Sequence, residues 1–93
     1  MIGVDDYCDI AKKNAGFRSD SELARNLNIT HSAISGWRTK RIWPSERVMV
    51  KLAKLAGMDI EAALIHLQIW RTDGEAKQAF VSISKKLHSM SVI

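Results

Sequence analysis

The sequence predicts an all-α domain of five to six short helices. Apolar residues recur at spacings of three and four along most of the 93 residues, and no stretch alternates well enough to read as a strand. Helix-opening residues and glycines punctuate these segments at short intervals, which leaves only short links. With 46% hydrophobic and 26% charged residues the composition is globular, and a chain of this length supports one small core.

The first helix is expected from Val4 to Ala15, with Val4, Tyr7, Cys8 and Ala11 on one side. Asp5, Asp6 and Asp9 come early and Lys12 and Lys13 late, which suits the helix dipole, and Gly16 is a natural stop. Ser19-Asp20-Ser21-Glu22 fits a capping box, in which Ser bonds the third helical amide and Glu reaches back. The helix it opens runs to about Leu27 and gathers Leu23, Ala24 and Leu27 on one side. The link Asn28-Ile29-Thr30 follows, with Asn28 at the tight turn, because Asn tolerates a left-handed backbone, and Thr30 as the next cap. The third helix, about His31 to Thr39, turns Ile34 and Trp37 inward and leaves Thr30, His31, Ser32, Ser35 and Gly36 small or polar. Helices this short are marginal alone, so their apolar sides need the rest of the chain.

A basic loop begins at Lys40-Arg41 and ends at Trp43-Pro44. The fourth helix, about Ser45 to Ala56, should bury Val48, Leu52 and Leu55 and expose Arg47, Lys51 and Lys54, with Gly57 closing it. Asp59 starts a fifth helix with the stripe Ile60, Ala63, Leu64, Leu67 and Trp70; Trp70 is expected to pack on the sixth helix. Thr72-Asp73-Gly74-Glu75 is a second T-x-x-E box. It opens a sixth helix, about Asp73 to Ser89, which presents Ala76, Phe80, Ile83 and Leu87, and residues 90–93 are expected to fray. The expected organisation is a core over 1–57 and a C-terminal helical hairpin over 58–93, packed together as one compact domain.

The net charge of +4 is unevenly spread. Residues 1–30 carry Lys12, Lys13, Arg18 and Arg25 against Asp5, Asp6, Asp9, Asp20 and Glu22, a net of −1. Residues 31–55 carry Arg38, Lys40, Arg41, Arg47, Lys51 and Lys54 against Glu46, a net of +5, while residues 56–93 balance. A basic excess of this kind is the expected electrostatic footprint on nucleic acid.

A lone cysteine, Cys8, excludes an internal disulfide and reads as a small buried apolar residue. His31, His66 and His88 show no metal-ligand spacing with it, and His66 and His88 read as ordinary, partly exposed residues. No metal, cofactor or small-molecule ligand is expected. Neither a signal peptide nor a membrane span is evident, so a soluble intracellular protein is expected. Gly-rich phosphate loops, paired carboxylates and nucleophile–base motifs are not found, which argues against an enzyme.

Residues 19–57 resemble the helix-turn-helix of the phage repressor and Cro-type family, the lambda-repressor-like core. Ala24 stands at that pattern's alanine, where a larger side chain would push the two helices apart. Leu23, Leu27, Ile29 and Ile34 stand at its aliphatic positions and Trp37 at its last buried one, while Asn28 replaces the usual glycine of the link. Ser35-Gly36-Trp37-Arg38, Pro44 and the run from Leu52 to Ala56 are similar to the family's later half. Residues 58–93 are similar to the C-terminal helical extensions of short prophage-borne proteins.

The resemblance implies a transcriptional regulator acting on double-stranded DNA in the cytoplasm of a bacterial host, with the third helix in the major groove. Thr30, His31, Ser32, Ser35 and Gly36 would then face bases, and Ser19, Arg38, Thr39, Lys40 and Arg41 the sugar-phosphate backbone. His31 either reads a base or is an exposed cap residue touching phosphate or water. Gly36 either allows close backbone approach or is merely tolerated, at roughly 1 kcal/mol. Trp43 either packs over the fourth helix or lies along the DNA backbone. With no Gln, Asn or Arg at the start of the reading helix, specificity is expected to lean on His31, Arg38, thymine methyl contacts and DNA shape. Met58, Ile65, Ile69 and Val81 fall outside the intramolecular stripes and are the candidates for a homodimer contact on a palindromic operator. The alternative is a helix-turn-helix protein-interaction module, such as a phage-encoded inhibitor or antitoxin-like adaptor.

Overall fold

The computed structural model describes residues 2–72 and 74–91, with side chains over 2–72 and 78–87. Six helices and no strand lie among the described residues: α1 (Val4–Ala15), α2 (Asp20–Leu27), α3 (His31–Arg38), α4 (Glu46–Ala56), α5 (Ile60–Arg71) and α6 (Gly74–Ser91). Their ends are set by short polar residues and left-handed stops. Ser19, Thr30, Ser45 and Asp59 each accept a hydrogen bond from the amide three residues on, which satisfies a donor that the helix start leaves free. Gly16, Asn28 and Gly57 sit in the left-handed region at the ends of α1, α2 and α4. The capping box of α2 differs in one partner from the sequence expectation. Glu22 accepts from the amide of Arg18, one residue before the cap, rather than from Ser19.

α1 packs against α4 and α4 against α5, while the α2–α3 pair sits on α1, with α2 also touching α4. Tyr7, Cys8, Leu23, Leu27, Ile34, Met49, Leu52 and Leu67 are fully buried between them. Ala24 is buried at the α2–α3 contact, and Trp37 is 2% exposed, as the sequence leads one to expect of a core residue. On α4 the fully buried positions are Met49, Leu52, Ala53 and Ala56; Val48 and Leu55 only flank the core. Leu52 is buried as expected, while Met49 and Ala56 take the places expected of Val48 and Leu55, because Met and Ala rank below Val and Leu in a hydropathy pattern.

The C-terminal helices depart further from expectation. Among the described residues α6 contacts no helix but α5, so there it lends no direct support to α2–α3. Ile69 is 1% exposed, which removes it from the dimer candidates. It lies on the side of α5 turned away from Ala63 and Leu67. Ile83, expected to turn inward, is 40% exposed. Asp73, Glu75, Ala76 and His88, named above for the second cap, the α6 stripe and the histidine survey, fall outside the described side chains.

Trp70 packs toward the N-terminus, a contact the sequence does not suggest. Its ring meets Tyr7 edge-on and stacks on Trp43 with centroids 6.0 Å apart, and its indole N–H donates to the carbonyl of Ile2. Trp43 therefore packs inward against the core and α5. His66 is half-buried in the same cluster, with Nδ1 2.7 Å from the Tyr7 hydroxyl and Nε2 3.3 Å from Ser84 Oγ. Burial and the nearby Asp59 charge push the Tyr7 phenol up to about 12, so it stays protonated and can donate to Nδ1. His66 then keeps its own proton on Nε2 and donates it to Ser84.

Burial holds the His66 imidazole below its ordinary value of 6.5. The unfolded chain thus takes up this proton at higher pH than the folded one, and stability falls as pH drops below about 6.5. The urea midpoint is expected to be lower at pH 5 than at pH 7.5, and the difference to shrink in His66→Gln. An unchanged pH dependence in that variant would remove His66 as the source.

Candidate nucleic-acid interface

The surface of interest is built from the start of α2, the outward face of α3 and the loop that follows. Asn28, at φ 58° and ψ 44°, reverses the chain after α2 in the left-handed region expected of it. Thr30 then caps α3, its Oγ1 accepting from the amide of Ala33. Thr30, His31 and Ser32 are exposed at the N-terminus of α3, and Ser35 is partly exposed one turn on. Ser19, Thr39, Lys40 and Arg41 are exposed as well, which leaves each able to reach a ligand. Ser19 uses its oxygen to cap α2, so its hydroxyl proton remains free to donate.

Arg38 and Gly36 are placed differently from expectation. Arg38 does not stand free at the end of α3. Its Nε and Nη2 grip both oxygens of Asp20 at 2.7 and 2.9 Å, Nη1 reaches Asp5 at 3.0 Å, and Nη2 reaches Asp9 at 3.1 Å. Lys12 holds the same Asp20 at 2.9 Å, and Lys40 holds Asp5 at 2.9 Å. One guanidinium thus joins the end of α3 to the start of α2 and to two turns of α1. The Arg38 guanidinium, with Lys12 beside it, keeps the Asp20 carboxyl well below the usual carboxylate range, and the carboxylates in turn raise Arg38 further. Nothing local in the sequence marks this hub, since its acidic partners lie 18, 29 and 33 residues from Arg38.

The hub also changes the charge picture. Of the six cations in residues 31–55, Arg38 and Lys40 are neutralised by acids from the N-terminal third. Arg41, Arg47, Lys51 and Lys54 have no carboxylate partner among the described residues. Cys8 lies buried near the hub, and burial pushes its thiol up to about 12, which leaves it protonated and unreactive.

Gly36 is buried, although it sits about 200° around α3 from Ile34 and so on the outward side. The cover is Ile42, whose Cγ1 would lie 2.5 Å from a Cβ built at Gly36. A side chain at 36 and this position of Ile42 exclude one another. The loop reaches this place through a Schellman stop. The amide of Arg41 donates to the carbonyl of Gly36 at 3.0 Å and that of Lys40 to Trp37 at 3.1 Å. Lys40 takes the left-handed position at φ 63°, which costs a residue with a Cβ about 1–2 kcal/mol. The loop is held farther on as well, because Arg71 of α5 donates to the carbonyl of Pro44 and pairs with Glu46.

Among the described residues there is no group of three His, Cys, Asp or Glu side chains that could hold a metal ion. No helix of the described residues is long and apolar enough to cross a membrane. Comparison with known families finds one model, described as the bacteriophage CI repressor helix-turn-helix domain, that matches residues 8–65. No curated protein and no solved structure matches the chain significantly.

Removing the Arg38 charge leaves Asp5, Asp9 and Asp20 facing one another with only Lys12 and Lys40 to offset them. Arg38→Gln is expected to lower unfolding stability by about 1–3 kcal/mol, between the values for exposed and buried pairs. The Asp20 contribution is present above the ordinary carboxylate value of 3.8 and is lost as pH falls below it, so the deficit should narrow toward pH 2. Denaturant titration at pH 7 and pH 2.5 measures both; an equal deficit at the two values would contradict the hub.

Proposed function

The chain belongs to the bacteriophage CI repressor helix-turn-helix family, and we propose that it is a sequence-specific transcriptional regulator that occupies a palindromic operator as a homodimer. Membership of that family makes it a DNA-binding regulator in kind. The observation that carries the finer reading is the outward run Thr30, His31 and Ser32 at the free end of α3, with Arg41 exposed beside the helix's other end. Placed in a major groove, α3 would direct the first three to base edges, with Ser35 one turn behind. Ser19, Thr39, Lys40 and Arg41 would contact phosphates on either side. Arg38 supports binding by fixing the angle of α3 rather than by touching DNA.

These readers give single hydrogen bonds, weaker than the bidentate pairs that discriminate by about 1–3 kcal/mol each. Two copies on a two-fold site double the small discrimination of each. Of the residues expected to form the dimer contact, Met58, Ile65 and Val81 keep partial exposure, and Ile83 joins them at 40%. A symmetric pairing through α5 and α6 would set two reading helices roughly 34 Å apart, one turn of DNA.

Selection of bound duplexes from random DNA, followed by a salt titration of the best one, tests the reading. A log–log slope of about −0.9 per neutralised phosphate is expected, and Arg41→Gln should lower its magnitude by about 1. A flat slope would remove DNA as the partner and favour the protein-interaction alternative. Light scattering on the complex should give the mass of two chains per duplex; one chain per duplex would sink the dimer.

A further inference from the structure

We propose that Ile42, a loop residue, supplies the base contact that α3 lacks at Gly36, by packing its exposed side chain against the C5 methyl of a thymine in the major groove. The inference rests on the reading of α3 as a major-groove helix. It adds a residue outside that helix to the surface that chooses the sequence.

The geometry runs from Gly36 outward. Gly36 and Ser32 stand one turn apart on the side of α3 opposite Ile34, so both belong to the face turned from the core. At Ser32 that face carries a short hydroxyl. At Gly36 it carries no side chain, and Ile42 lies there instead, with Cγ1 and Cδ1 2.5 and 2.7 Å from where a Cβ would be. The branched side chain therefore takes the volume that a residue at 36 would have used. Ile42 is nonetheless 48% exposed, and with Ile83 it makes up the exposed large hydrophobics among the described residues. A single exposed aliphatic residue is ordinary on a protein surface. This one differs in place: it stands on the outward face of α3, next in sequence to Lys40 and Arg41.

The loop that carries this side chain is also held before any ligand arrives. The carbonyl of Gly36 accepts from the amides of both Arg41 and Ile42. Thr39 Oγ1 donates to the carbonyl of Ser35 and accepts from Arg41 Nε, which ties the chain on both sides of Lys40 to the last turn of α3. Farther along, Trp43 stacks on Trp70 and Arg71 grips Pro44. Because the loop is already held, a contact made by Ile42 costs little ordering of the chain. Among the base edges of the major groove, thymine alone presents a methyl group, so an aliphatic side chain there discriminates by burying that methyl.

The test uses the full chain and the duplex chosen by selection. Each thymine is replaced in turn by deoxyuridine, which removes the methyl and leaves the hydrogen-bonding edge intact. The wild-type chain should lose about fourfold in affinity at one position of each half-site, the worth of one buried methyl. Ile42→Ala should bind the thymine duplex more weakly and lose nothing further when that thymine is replaced. Ile42→Val, which keeps the cover over Gly36, should fall between, and all three proteins should share one salt slope because no charge has changed. Full methyl dependence in Ile42→Ala, or no methyl dependence in the wild-type chain, would overturn the assignment of Ile42 while leaving duplex binding in place. Absence of salt-dependent duplex binding would overturn the parent reading, and this one with it.

Discussion

The bidentate pair between Arg38 and Asp20 fixes the geometry on which the surface depends. Two helices of eight residues joined by a short link have little to hold their crossing angle beyond Ala24 and the aliphatic side chains around it. A planar guanidinium that binds two carboxylate oxygens at once constrains direction as well as distance. Because Arg38 also reaches Asp5 and Asp9 on successive turns of α1, α3 is referenced to the core through charge, while Ile34 and Trp37 reference it through packing. Arg38 stands one turn beyond Ile34 and about 40° around the helix, so charge and packing hold the same inward side of α3. The outward residues Thr30, His31 and Ser32 are left with no structural duty beyond the Thr30 cap.

What was legible in the sequence follows the range of the interactions involved. The caps at Ser19, Thr30, Ser45 and Asp59, and the stops at Gly16, Asn28 and Gly57, act within four residues, and their positions are visible in the chain itself. The inward faces of α1, α2 and α3 were readable because helical periodicity is local too. The stop after α3 was not, since its left-handed residue is a lysine, which carries no such signal. Arg38 looked like one more cation in a basic run because its carboxylates arrive from far along the chain. The burial of Ile69 is not legible either, because it lies off the Ala63–Leu67 stripe of α5 and what covers it is set by the tertiary fold.

Gly36 shows the same limit from the other direction. Its small size is apparent in the sequence, and close approach is one of the readings open to it, with DNA the expected neighbour. The group is Ile42 of the same chain. A glycine on a polar helix face states only that something comes near. Identifying it takes the path of the loop, and that path depends on the Schellman bonds, the Trp43–Trp70 stack and Arg71.

The stack and the Arg71 contacts have a consequence for how the chain can be divided. α5 lies behind the core, yet its last two residues secure the loop at the front, Trp70 by stacking on Trp43 and Arg71 by gripping Pro44 and Glu46. It works as a brace that spans the molecule from back to front. A chain cut after Gly57 keeps every residue proposed to touch DNA and still loses the brace. The smallest fragment with an intact front surface therefore extends through Arg71, well past the last of those residues.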